Sequence, residues 1–205
     1  AVNMLDGIDG LAGGFALLVL SMFSSVLFLA GNEQSGVLAA LLAACTAGFL
    51  LLNMRSPMLF QARVFLGDAG TMMLGLAIGW FAIEASTSGV SWFSPVAVLW
   101  VLALPVIDTV SLIVRRIRRG HSPFVADREH LHHLFDRAGF SVLQAALILL
   151  SAAVGLGVVG IAASVAGVPD GILLVGLVAV ASGHVYFISR AWRVLRVIRR
   201  RRGLG

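Results

Sequence analysis

The octapeptide Asn3-Met4-Leu5-Asp6-Gly7-Ile8-Asp9-Gly10 runs without a spacer into Leu11-Ala12-Gly13-Gly14-Phe15-Ala16-Leu17-Leu18-Val19-Leu20-Ser21-Met22-Phe23-Ser24-Ser25-Val26-Leu27-Phe28-Leu29-Ala30. The second segment decides the fold. It carries no charge and matches the ~20 apolar residues that a helix needs to cross a bilayer. It is continuously apolar rather than alternating, so it reads as a helix and not as a barrel strand. Two carboxylates stand at its mouth.

Five further apolar runs follow, at about 37–52, 71–85, 95–114, 142–166 and 172–188. The expected fold is therefore all-α, a polytopic transmembrane helix bundle of about six spans. The run at 71–85 is short, roughly 22 Å at ~1.5 Å per residue, and is expected to extend into 86–90 or to begin inside a re-entrant motif. The run at 95–114 reads as one continuous span. Composition agrees: 59% of the 205 residues are hydrophobic and 12% charged, against about 25% charged in soluble domains. Glycines in the spans, such as Gly155, Gly157 and Gly160, suit close helix contacts in lipid. The lone Cys45 reads as a small buried side chain, and one cysteine allows no disulfide within the chain.

All fifteen basic residues are arginines, held by three regions: Arg55 and Arg63, then Arg115 through Arg137, then Arg190 through Arg202. The connections at 31–36, 86–94 and 167–171 contain none. The positive-inside rule makes the Arg-bearing connections cytoplasmic, and parity puts the N-terminal Asp motif on the same side. Glu84 then falls at the outer end of its span, where water is its expected partner. The net charge of +5 does not argue for nucleic acid, because the arginines sit at span ends and are not interleaved with aromatics on a soluble face. Residues 1–189 read as the C-terminal part of a membrane-embedded domain. Residues 190–205 read as a basic cytoplasmic tail on the anionic leaflet, with Trp192 as an interfacial anchor. Because the chain starts inside a polar motif, it is expected to continue a longer protein.

Three polar islands, each separated by an even number of spans, meet on one face in this topology. In the first, Asp6 and Asp9 are three apart and repel each other unless a cation or a proton lies between them. The neighbouring Gly7, Gly10, Gly13 and Gly14 loosen the backbone for approach to a phosphate or sugar. The alternative is an Asx turn with Asp9 as the N-cap of the following helix. In the second, Gly67-Asp68-Ala69-Gly70-Thr71, a carboxylate stands where a helix begins at Thr71, a natural place for a Mg²⁺–diphosphate group or for a simple helix cap.

The third island is Asp127-Arg128-Glu129-His130-Leu131-His132-His133. Its imidazoles and the planar charge of Arg128 suit a substrate phosphate. A zinc site is the weaker alternative, since paired zinc histidines on a helix normally stand four apart. His121 and His184 read as structural. Asp108 falls inside an apolar run, where a carboxylate is either functional or paired with the Arg115/Arg116 cluster.

Taken together and in order, the islands resemble the polyprenyl-phosphate N-acetylhexosamine-1-phosphate transferase family. Asn3 through Leu11 is similar to its Asn/Asp signature, and Val64-Phe65-Leu66-Gly67-Asp68-Ala69-Gly70 to its Gly-Asp signature. Ser122-Pro123-Phe124 with 127–133 resembles the His-x-His-His loop of the N-acetylglucosamine-type members. Leu131 interrupts the run of three histidines found in the peptidoglycan branch.

The resemblance implies transfer of a sugar 1-phosphate from a UDP-sugar to undecaprenyl phosphate at the bacterial inner membrane, with Mg²⁺ or alternatively Mn²⁺ as cofactor. By resemblance Asp68 and Asn3 hold the metal, while Asp6, Asp9 and His130 are catalytic. Arg116, Arg128, His132 and His133 bind substrate. The lipid bilayer is the other partner, and a homodimer is compatible with the pattern. Family members carry a further Asp-Asp motif upstream of the position of Ala1, so the 205 residues alone are expected to be inactive. The competing reading is a polytopic, ion-coupled transporter, whose key charges would lie near the midplane in broken helices.

Overall fold

A computed structural model describes residues 2–54, 64–87, 93–118, 120, 122, 135 and 139–201. Among these residues the regular structure is entirely helical. The helices are α1 (Val2–Leu5), α2 (Leu11–Leu29), α3 (Glu33–Asn53), α4 (Gly67–Thr87), α5 (Pro95–Val101), α6 (Ala103–Arg118), α7 (Val142–Val165) and α8 (Asp170–Arg201). Five of them, counting Asp170–Ile188 of α8, are long and apolar enough to cross a membrane, and α5 with α6 makes a sixth, broken candidate. The chain is a polytopic integral membrane protein.

α2 is the hub. Its apolar window is 67% buried against 17% for Asp170–Ile188, and it packs on α3, α4 and α7. Phe15, Leu20, Phe23 and Leu27 are fully enclosed. Outward faces are apolar instead of polar: on α4, Met72, Leu76, Trp80 and Ile83 are all more than 60% exposed. A row of large apolar side chains on an outer surface makes sense with lipid as the solvent. Cys45 is on such an outer face of α3 and is exposed, not buried as expected.

Glycine serves packing here more than flexibility. A Cβ on Gly13 would stand 3.0 Å from Leu50 Cδ2, and one on Gly14 would stand 2.7 Å from Leu150 Cδ1. These two residues therefore seat α3 and α7 against α2; the expectation that they loosen a loop is corrected. Gly160 is tighter still, because its Cβ would lie 2.2 Å from Trp100 Cβ. That approach lets α7 pack on α5, while Trp100 Nε1 donates to Leu173 O at 3.0 Å and ties α5 to α8.

The expected continuous span at 95–114 is instead broken, with α5 and α6 meeting at 80°. Pro105 explains the break. It has no N–H to donate to the Val101 carbonyl, and its ring clashes with that carbonyl in a continued helix. α5 accordingly ends at Val101, with Leu102 as its cap. Beyond the bend, α6 buries Asp108, Arg115 and Arg116 and packs on α1, α7 and α8. Arg115 folds back along the helix, its Nε donating to Ser111 O at 3.3 Å.

α4 begins at Gly67, four residues before the expected start at Thr71, and so gains the length that the apolar run lacked. α8 passes the expected tail boundary at 189/190 without interruption. At that level Arg190 stacks over the Tyr186 ring, 5.6 Å from its centroid, and donates to the Tyr186 hydroxyl. A tyrosine and an arginine together suit a membrane–water interface.

Candidate active site

Three chain segments converge at one end of the α2–α3–α4 group. α1 and the turn after it bring Asn3, Asp6 and Asp9; the end of α3 brings Asn53; and the start of α4 brings Asp68 and Thr71. α1 packs on α2, α4 and α6. Gly10, at φ +82°, caps α2 with no side-chain hydrogen bond. That left-handed conformation favours glycine, and it means that Asp9 is not the N-cap of this helix.

Two hydrogen-bonded links hold the islands in register. Asn53 is buried, and its Oδ1 accepts the Gly10 N–H at 2.8 Å while its Nδ2 donates to Val64 O at 2.7 Å. One carboxamide thus joins the loop after α1 to the segment entering α4. The second link is direct: the Thr71 hydroxyl donates to Asn3 Oδ1 at 2.7 Å. Asn53 was absent from the candidates read from sequence. It closes an apolar run, where a polar residue reads simply as the end of a span.

The electrostatics follow from this convergence. The protein around Asp6 displaces enough water to raise its carboxyl above the ordinary carboxylate value, and the charges of Asp68 and then Asp9 raise it further. Asp6 and Asp68, 62 residues apart in sequence, therefore share one electrostatic site. Asp68 is in the first turn of α4, where the positive end of the helix dipole favours an anion. Among the described residues no three His, Cys, Asp or Glu side chains form a closed metal cage. The donors present are hard oxygens that suit a small divalent cation of the Mg²⁺ type, which normally takes one or two carboxylates and completes its shell with water and substrate phosphate.

Arg116 is buried in the last turn of α6, the helix that packs on α1. Arg128, His130, His132 and His133 lie outside the described residues. Phe135, two residues beyond His133, packs against the same apolar core as Ile8 of the first island. The opposite end of the group is separately tied. Glu84 Oε1 accepts from Asn32 Nδ2 at 3.0 Å and from Ser35 Oγ at 3.1 Å. The expectation that Glu84 meets only water is thus corrected: it pins the end of α4 to the start of α3.

Residues 1–86, which contain the converging carboxylates, match the model of glycosyl transferase family 4. Over 201 residues, 98% of this chain, it is 35% identical to the undecaprenyl-phosphate alpha-N-acetylglucosaminyl 1-phosphate transferase of Escherichia coli K12, covering 54% of that protein. The transferase of the same description from Yersinia pestis is 34% identical, with 55% of it covered. That of Haemophilus influenzae is 35% identical over 92% of this chain, with 53% of it covered. The chain spans about half the length of these curated relatives. Within the family 4 match, the first two islands are also the two that the Asn3–Thr71 bond joins.

Proposed function

We propose that this chain forms part of a membrane-embedded transferase that moves N-acetylglucosamine 1-phosphate, or a related N-acetylhexosamine 1-phosphate, from its UDP ester to undecaprenyl phosphate. The observation that carries this reading is the meeting of Asn3, Asp6, Asp9, Asp68 and Thr71 at one end of an apolar bundle. The named relatives are described as undecaprenyl-phosphate alpha-N-acetylglucosaminyl 1-phosphate transferases, which supports this reading.

In the proposed reaction an oxygen of the lipid phosphate attacks the sugar-bearing phosphorus of the UDP-sugar. The bond from that phosphorus to the bridging oxygen breaks, and UMP leaves with the electron pair. The product is a lipid-linked diphosphate sugar, the starting unit of a cell-surface polysaccharide. Mg²⁺, or Mn²⁺ in its place, supplies charge neutralisation for the diphosphate and for UMP. Asp68 and Asn3 would hold it. Asp6 and Asp9 orient the lipid phosphate or take its proton, a role that the raised pKa of Asp6 favours. His130 is assigned a catalytic role with them, while Arg116, Arg128, His132 and His133 are assigned to hold the UDP-sugar phosphates.

The proposed setting is the bacterial inner membrane, with the catalytic end and the C-terminus cytoplasmic. Residues 1–189 form the catalytic part, and 190–205 the basic tail. The broken pair α5–α6, with Asp108 buried beyond its bend, is what favours the transporter reading. The break at Leu102 itself is apolar, however, and Asp6, Asp9 and Asp68 cluster at the bundle end. Membranes containing the full-length protein, given UDP-N-acetylglucosamine and Mg²⁺, should release UMP only when undecaprenyl phosphate is added. Release of UMP without the lipid acceptor, or none with it for any UDP-N-acetylhexosamine, would reject the reading.

A further inference from the structure

Thr71, in the first turns of α4, is 1% exposed. Its hydroxyl has three acceptors in reach: Asn3 Oδ1 at 2.7 Å, Asp68 O at 2.9 Å and Gly67 O at 3.1 Å. The last two are carbonyls of its own helix, one turn back, where a threonine hydroxyl commonly bonds. The first and shortest is a side chain 68 residues away. The hydroxyl has a single proton, and the shortest of the three contacts directs it to Asn3, one of the two residues assigned to the cation.

We infer that Thr71 is a positioning residue for the divalent cation, acting through the carboxamide of Asn3. This rests on the metal assignment proposed above. Asn3 is itself exposed, on a four-residue helix too short to be stable alone, so its side chain has no rigid support of its own. Thr71 supplies that support from inside a 21-residue helix. An amide oxygen has two lone pairs; the hydroxyl occupies one and leaves the other for the cation. Ligands held by a neighbouring hydrogen bond need less ordering when the ion arrives.

The test is Mn²⁺ binding, followed by electron paramagnetic resonance on the purified full-length protein without substrates, with thermal unfolding as the check that each variant is folded. Loss of an outer hydrogen-bond partner typically costs 10- to 100-fold in metal affinity, so Thr71→Val should weaken Mn²⁺ binding by about tenfold or more. Thr71→Ser keeps the hydroxyl and should bind like the wild type. In an Asn3→Ala background Thr71→Val should cause no further loss, because the hydroxyl would have no carboxamide to hold. Thr71→Ala removes the hydroxyl by a second route if valine prevents folding.

Wild-type affinity in both hydroxyl-free variants would overturn the inference while leaving the metal assignment intact, provided that Asp68→Asn abolishes binding. Equal weakening by Thr71→Ser and Thr71→Val would overturn it as well. If Asp68→Asn binds Mn²⁺ as the wild type does, the metal assignment itself fails.

Discussion

Asn53 and Gly10, 43 residues apart, are joined by a 2.8 Å hydrogen bond from the Gly10 N–H to the Asn53 side-chain oxygen. The same carboxamide donates to Val64 O at 2.7 Å. The loop that carries Asp6 and Asp9 and the segment that leads to Asp68 are therefore fixed to one buried group. Neither an apolar residue nor a carboxylate can replace it, because the carboxamide both donates and accepts here, whereas an ionised carboxylate only accepts and an apolar side chain does neither.

Asn53→Leu should therefore leave a backbone N–H and a backbone carbonyl without partners, costing about 1–3 kcal/mol for each group that stays buried. Chemical denaturation in detergent measures that loss. Because the islands would also shift relative to each other, UMP release should fall by on the order of a hundredfold if the displacement reaches about 1 Å. Full activity in a stably folded Asn53→Leu protein would contradict the role given to this link.

Asp6 makes a prediction about pH. Its folded-state pKa is raised, so its contribution to stability is fully present below the ordinary carboxylate value and is lost as pH rises through the raised value. At pH 7 without divalent metal, the ionised carboxylate opposes the fold. Asp6→Asn should consequently melt higher than the wild type at pH 7 in chelator, and the gap should close as the pH falls below about 4, where both states are protonated. The same variant should lose UMP release, an exchange of stability for function. A wild type that melts at or above Asp6→Asn at pH 7 in chelator would oppose this.

Gly160 predicts a packing effect far from the chemistry. A Cβ there would stand 2.2 Å from the Cβ of Trp100, and a Cβ cannot swing aside as the end of a long side chain can. Gly160→Ala should cost about 1–3 kcal/mol by overpacking. Gly155, with open space at its Cβ position, is the control: Gly155→Ala should be neutral or slightly stabilising through helix propensity. Thermal melting of the pair in one detergent decides the matter.

Much of the fold was legible because lipid imposes a simple rule: charge-free runs of spanning length must become helices. The 11–30 run became α2 almost to the residue. The start of α4 was misplaced because Gly67 and Asp68 look like loop residues, although the first turn of a helix accepts both. The bend between α5 and α6 is not legible in the sequence, since the apolar run continues through Pro105 and hydropathy does not register a missing N–H. Asp6, Asp9 and Asp68 stood out because a carboxylate beside an apolar span is costly without a purpose. Asn53 and Thr71 did not, because their importance lies in pairings over 43 and 68 residues, which no local pattern encodes. Asp108 and Arg115, both buried, are visible as charges in and just beyond an oily run, but the bend before them is not.

The most direct test compares UMP release by membranes containing the full-length wild type with release by membranes containing Asp68→Asn, given UDP-N-acetylglucosamine, undecaprenyl phosphate and Mg²⁺. The carboxamide preserves size while removing the charge, so release should fall to background in the variant at unchanged protein level. Release at the wild-type rate from Asp68→Asn would contradict the assignment of this bundle end as the metal-dependent site of sugar-phosphate transfer.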